Sequence, residues 1–344
     1  MKKNFYSVIL FCTFFISLIF NSCGKKESAD IHKDNKVPMK VGLVFDIGGR
    51  GDKSFNDAAY KGLEMAKEKL GIDFEVIDPG DGSDRESALR NLASKKDIGL
   101  IFGVGFIFTD DINNIAKEFP GKKFACVDYS VDPSKVIAPN IEAIEFKEEE
   151  GSFLVGALAA LLTKNNKVGF IGGMESSLIR KFESGYKQGV KFAKPDCQLL
   201  SGYVSVSPDG FKNPGKAKEI ALSQYANGAD IIYHASGLSG LGLFEAAREK
   251  SKLAIGVDMD QFKEAPGFIL SSMVKQVDQA VFKTIQDFKE NKFTGGIKTL
   301  GLKDNGISYV YDDNNKNLIP AEVKAKVDEM RNKLINGEII IDLK

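Results

Sequence analysis

The chain has 344 residues with 47 basic and 47 acidic side chains, so no net charge invites a polyanion such as nucleic acid. A length beyond the usual domain of about 100–200 residues points to two lobes with separate cores. Four cysteines and two histidines without a Cys-x-x-Cys spacing give no support to a structural metal or a cysteine/histidine catalytic pair.

At the N-terminus, Lys2-Lys3 precede an uncharged apolar run from Phe5 to Phe20, followed by Asn21-Ser22-Cys23-Gly24. That run is shorter than the ~18–20 residues of a spanning helix, and residues 1–22 read as an export signal. Cys23, behind a small residue, resembles the lipid-bearing cysteine of a bacterial lipoprotein. Phe20 and Asn21 depart from the usual residues there, so an ordinary cleaved signal peptide is the alternative. With Cys23 acylated, the polar tract 23–37 becomes a tether, and the protein is exported and anchored to a bacterial membrane, on its periplasmic face or at the cell surface. Cys12 leaves with the leader. Cys126 and Cys197, in apolar strand-like segments, read as buried free thiols.

Apolar runs then alternate with helical patterns, which predicts parallel sheets with crossover helices. In chain order, the strands 40–45, 73–77, 98–103 and 123–127 are interleaved with helices near 54–70, 84–95 and 109–118. A second set has strands 167–172, 198–204, 230–235 and 253–257 with helices near 147–164, 176–193, 214–226 and 239–250. The segment Ile141–Lys147 joins the sets. A strand at 269–274 and a helix at 277–290 are expected to return to the first lobe, and the tail from Thr299 to pack on the second. The lobes are thus 38–143 with about 272–298, and 144–271 with about 299–344. This is an α/β fold of two doubly wound lobes, with a ligand cleft at the facing carboxyl ends of the strands.

Glycine-rich Asp46-Ile-Gly-Gly-Arg-Gly-Asp-Lys-Ser-Phe-Asn56 sits at the first strand end. A phosphate loop needs glycine directly before Lys-Ser, and here Asp52 stands there; the dinucleotide fingerprint lacks its third glycine, and Asp46 would repel a pyrophosphate. Carboxylates, a ring and an amide suit a polar, flat, uncharged small molecule instead. Lys53 and Asp52 are candidates for an ion pair that shapes the loop.

Asp52-Lys-Ser-Phe-Asn56, Glu150-Gly-Ser-Phe-Leu-Val-Gly156, Val168-Gly-Phe-Ile-Gly-Gly173, Ala235-Ser-Gly237, Ile255-Gly-Val-Asp258 with Asp260-Gln261, and Ser271-Ser-Met-Val-Lys275 occur in this order. Across the mature chain they resemble the basic membrane protein family of lipoproteins, the purine nucleoside receptors among ABC-transporter substrate-binding proteins, with the type I periplasmic-binding-protein fold. Gly295-Gly296 and Leu300-Gly-Leu302 are similar to spirochaetal members. The resemblance implies a purine (guanosine, inosine or adenosine) between two rings, Phe55 and Phe211, the latter behind an apparent insertion Pro208-Asp-Gly210. It further implies that Asp128 accepts from the purine edge with Asn56 and Asp46 nearby, and that Asp258, Lys275 and the Ser236-Gly237 backbone hold the ribose. Permease subunits are the implied partners of a monomeric receptor with no cofactor.

Without the resemblance, Phe55 also reads as a packing residue, Asp128 as a cap, and Lys275 as a surface ion-pair partner. Gly172, Gly173 and Met174 either bring backbone to the ligand or serve a turn. A sugar receptor on the same fold and a surface adhesin or antigen are the alternative functions; the absence of tryptophan speaks against the sugar. A nucleoside hydrolase would need clustered aspartates for a metal-activated water, and no second cluster matches Asp46, Asp52 and Asp57. Neither a metal nor a catalytic residue is expected.

Overall fold

Short apolar runs, too brief for helices and bounded by turn residues, become the parallel strands of two sheets. The computed structural model describes residues 40–80 and 84–343; the leader, Cys23 and the tether lie outside the described residues. The first lobe is built from β1 (Lys40–Val44), α1 (Phe55–Leu70), β2 (Asp73–Ile77), α2 (Arg85–Ser94), β3 (Ile98–Val104), α3 (Thr109–Glu118), β4 (Lys123–Val127) and β5 (Ile141–Phe146). The second comprises α4 (Glu148–Leu162), β6 (Lys167–Met174), α5 (Ser177–Ala193), β7 (Gln198–Ser205), α6 (Pro214–Ala226), β8 (Ile231–Ala235), α7 (Gly240–Lys250), β9 (Leu253–Asp258) and β10 (Ile269–Lys275). The chain closes with α8 (Val277–Lys289), β11 (Gly296–Leu300), β12 (Ile307–Tyr309) and α9 (Ala321–Ile335).

The sheets run β11-β5-β4-β3-β1-β2 and β12-β10-β9-β8-β6-β7, the same winding twice. Every pairing is parallel except β10 with β12. β4 and β9 hold equivalent places, so the residues that end them, Asp128 and Asp258, are counterparts. Among the described residues no helix is long and apolar enough to cross a membrane. Cys126 and Cys197 are buried and free.

Three expectations are corrected. The joining segment Ile141–Phe146 is a strand, paired with β4 through Val127↔Ile144. Its glutamates disguised it: Glu142 is buried because Thr284 Oγ1 donates to it at 2.5 Å and Lys298 Nζ lies at 3.1 Å. Second, β10 stays in the second sheet, with Met273↔Val257 and Val274↔Asp258 in register. Nearly all of its residues are buried, and β9 on one side with β12 on the other give its backbone partners. Only the following helix returns to the first lobe, where Lys61 pairs with Asp278 at 2.7 Å and a Cβ on Gly62 would lie 2.7 Å from the Asp278 carbonyl oxygen. Third, the tail is divided: Leu300 completes β11 in the first sheet, whereas β12 joins the second and α9 packs on α4.

Candidate functional site

The strand ends of the two lobes meet around a cavity. All nine residues singled out from the sequence line it: Asp46, Phe55, Asn56 and Asp128 from the first lobe, and Phe211, Ser236, Gly237, Asp258 and Lys275 from the second. Phe106, just past the end of β3, adds apolar wall, and Ile47, Leu178, Ile179, Phe182, Ala235 and Val257 supply more that the sequence does not single out.

The loop before α1 is organised by Asp52. Its buried carboxylate accepts the Ser54, Asn56 and Asp57 amides at 2.9, 2.8 and 3.1 Å, satisfying the free N–H groups that open a helix. Burial raises this carboxyl to about 6 against the pull of those amides. Asp52 therefore acts as a cap; the ion pair expected with Lys53 is replaced by backbone amides. Gly49 has a φ of 56°, and a Cβ there would lie 2.1 Å from the Asp78 carboxylate, so only glycine fits. Asn56 is largely committed to the loop: Oδ1 accepts from the Asp46 amide at 2.9 Å and Nδ2 donates to Asp52 at 3.1 Å, which leaves one N–H free to face the cavity.

Asp46, half-buried, accepts from the Ile47 amide at 2.7 Å, and its carboxylate fills the space that a side chain at Gly105 would occupy. Burial pushes its carboxyl up to about 7; the Ile47 amide opposes this and the Asp128 charge adds to it. Between about pH 4 and 7 the folded chain thus keeps a proton that the unfolded chain releases. The stability this group contributes is full at low pH and lost as pH rises through 7. Asp46→Asn should remove that loss, so its melting temperature relative to wild type should rise from pH 5 to pH 8 in scanning calorimetry.

Phe211 belongs to a 3-10 turn, Pro208–Phe211, pinned by Ser239 Oγ donating to the Gly210 carbonyl at 2.7 Å. The apparent insertion is what seats the ring. Gly172 and Gly173 neither turn the chain nor line the cavity. A Cβ on Gly173 would stand 2.4 Å from the Phe211 ring, and one on Gly172 2.7 Å from the Tyr203 ring. Both glycines make room for aromatic rings. Gly173→Ala should push Phe211 off its seat and weaken binding of the cavity's ligand by about tenfold in calorimetry, overpacking of this kind costing ~1–3 kcal/mol.

At the centre is Lys275, buried rather than at the surface. Its Nζ lies 2.6 Å from Asp128 Oδ2 and 3.6 Å from Glu148 Oε1, and sits 4.7, 5.4 and 5.4 Å from the ring centroids of Phe55, Phe146 and Phe182. Burial alone would lower the lysine; Asp128, Glu148 and Asp258 outweigh it and hold the ammonium charged. Burial raises Glu148 and Asp258 against the attraction of Lys275. Asp128 and Asp258 are both left-handed, with φ of 61° and 65°, a conformation that few non-glycine residues adopt. Asp128 Oδ1 is buried and has no hydrogen-bond partner.

Three bonds tie the lobes together around the cavity. Lys275 reaches Asp128, Ser54 Oγ donates to Asp258 Oδ2 at 2.5 Å, and Gln261 Nε2 donates to the Lys53 carbonyl at 2.9 Å. This is a closed arrangement. Among the described residues no cluster of three or more histidines, cysteines or carboxylates is placed to hold a metal ion.

The family model for PnrA-like ABC transporter substrate-binding proteins, named Bmp, matches residues 39–344. The chain belongs to this family. Basic membrane protein A of Borreliella burgdorferi is 35% identical over 94% of this chain and 92% of its own, and a lipoprotein of Pyrococcus furiosus is 34% identical over 88% and 80%. The solved solute-binding protein of an ABC transporter system from Aeropyrum pernix K1 superposes with a TM-score of 0.82 at 28% identity, covering 89% of this chain and 94% of that one. As a Bmp-family protein the chain is a substrate-binding component of an ABC system, and its family role is to bind a ligand for permease partners without turning it over.

Proposed function

We propose that the protein is a lipid-anchored receptor that closes its two lobes on a purine nucleoside and hands it to an ABC permease. The observation that carries this reading is one cavity lined by an aromatic ring from each lobe, Phe55 and Phe211, beside an Asp128 oxygen that lacks a donor. Two rings suit a flat heterocycle, and base stacking supplies ~1–3 kcal/mol without choosing the base. Asp128 makes the choice. Its free oxygen accepts an N–H: guanine offers N1–H and its 2-amino group, hypoxanthine offers N1–H, and adenine only its 6-amino group. Guanosine and inosine are therefore favoured over adenosine.

Ribose hydroxyls would donate to Asp258 and Ser236 and accept from Lys275, in a site where an unmade contact costs ~1–3 kcal/mol. The cavity is lined by the carboxyl groups of Asp46, Asp52, Asp128 and Asp258 and by the single ammonium of Lys275, which disfavours phosphorylated nucleotides. Cys23 carries the lipid, and residues 23–37 form the tether. A ligand enclosed between closed lobes leaves slowly and is expected to persist through purification. Native mass spectrometry followed by denaturation should release a nucleoside mass; a hexose or pentose mass would favour the sugar reading.

A further inference from the structure

The interior of the second lobe contains a hydrogen-bond chain that runs from the cavity wall to the other lobe. His234, on β8, is fully buried, with Nδ1 3.1 Å from Ser236 Oγ and Nε2 3.1 Å from Gln261 Oε1. Its place is built on two sides. The Phe244 ring meets it edge-on with centroids 5.2 Å apart, and a Cβ on Gly240 would lie 2.0 Å from its Cε1. Gln261 is as tightly held: Oε1 accepts the Val257 amide at 2.8 Å, Nε2 donates to the Lys53 carbonyl, and its own amide donates to Ser272 Oγ at 3.1 Å.

These partners determine where each proton lies. The Val257 N–H can only donate and the Lys53 carbonyl can only accept, which fixes the orientation of the Gln261 amide. Gln261 Oε1 must then accept from His234, so the imidazole proton is on Nε2. Burial keeps the ring neutral, its pKa lowered to about 4, so Nδ1 bears a lone pair and accepts a hydrogen bond from the Ser236 hydroxyl. Ser236 is left facing the cavity as an acceptor only. At the far end, Lys53 has a φ of 56° and is followed by Ser54, whose hydroxyl bonds Asp258, so two successive residues of the first lobe dock on Gln261 and Asp258.

We infer that His234 and Gln261 are positioning residues whose hydrogen bonds, directed one way from Ser236 to Lys53, couple a hydroxyl donor on the ligand to the bond that holds the lobes shut. The inference rests on the nucleoside reading for the identity of that hydroxyl, a ribose O–H. The chain makes closure depend on the ligand: a donor at Ser236 Oγ strengthens the serine's own donation to His234, and each later bond in turn.

Two measurements on the untagged full chain test this. Long-range proton–nitrogen spectra contain the imidazoles of His32 and His234, assigned by the signal lost in His234→Gln. The His234 ring should be the neutral Nε2–H tautomer at pH 7 and remain neutral at pH 5.5; an Nδ1–H tautomer, or protonation by pH 5.5, overturns the proton order. Gln261→Glu keeps acceptors for Val257 and His234 but sets an anion against the Lys53 carbonyl. In stopped-flow, guanosine should leave this variant about tenfold faster or more, with association changed less than about threefold. Unchanged dissociation, or a loss confined to association, refutes the latch. The spectrum needs no ligand, and His234→Gln serves only to assign it: failure of wild type to bind guanosine would overturn the nucleoside reading, while the tautomer alone would still decide the proton order.

Discussion

Lys275→Met is expected to abolish nucleoside binding and to destabilise the protein strongly at alkaline pH. The variant keeps the length and apolar stem of the side chain but strips the buried ammonium from Asp128, Glu148 and Asp258. Removing one partner of a buried ion pair costs ~3–5 kcal/mol, because the remaining charge is left without compensation. The loss has a definite pH dependence. Without the lysine, Glu148 and Asp258 are raised further by burial, and the folded state binds protons that the unfolded state releases. The deficit should therefore be smaller at pH 5, where these groups can be neutral, and larger at pH 8. Thermal melts across that range read the stability, and titration with guanosine at pH 5, where the variant is best folded, reads the site. A melting temperature equal to wild type at pH 8 would remove Lys275 from the centre of the electrostatic scheme.

Phe55→Ala and Asp128→Asn should each weaken guanosine or inosine by more than tenfold in calorimetry, for different reasons and with different selectivity. Loss of the Phe55 ring removes a stacking face that is blind to the base, so guanosine, inosine and adenosine should suffer alike. Asp128→Asn retains the shape but presents an amide to an N–H-bearing edge, so the penalty should fall on guanosine and inosine more than on adenosine. Unchanged affinity in both variants would sink the assignment of the base site. Equal losses for all three nucleosides in Asp128→Asn would leave the stack in place and remove Asp128 as the reader of the edge.

The winding of the two lobes was legible because buried parallel strands leave apolar runs, and Val41–Phe45 or Ile98–Phe102 cannot be amphipathic helices at that length. Ile141–Phe146 broke the pattern with two glutamates, Glu142 held by Lys298 and Thr284 and Glu145 by Thr299, partners about 150 residues away in the chain and beyond the reach of local patterning. Which sheet receives β10 is equally non-local, since its antiparallel partner β12 is only three residues long. In the site, the polar residues at strand ends could be read because an open α/β sheet exposes those positions to its cleft. Phe182, with Leu178 and Ile179, lies on the inward face of α5 and has the spacing of core packing. Glu148 was hidden among three successive glutamates, and only its burial distinguishes it from Glu150, which pairs with Lys147 at 3.1 Å. Gly173 carries no chemistry of its own, and its value lies entirely in the ring that occupies its place.

The most direct measurement is calorimetric titration of the wild-type protein, stripped of retained ligand by unfolding and refolding, with guanosine, inosine, adenosine, ribose, galactose and guanosine monophosphate. Saturable binding of guanosine and inosine at micromolar concentration or below (roughly −8 kcal/mol or stronger), weaker binding of adenosine, and none of the sugars or the nucleotide is the expected result. Saturable binding of a sugar with no heat from any nucleoside would contradict a purine between Phe55 and Phe211.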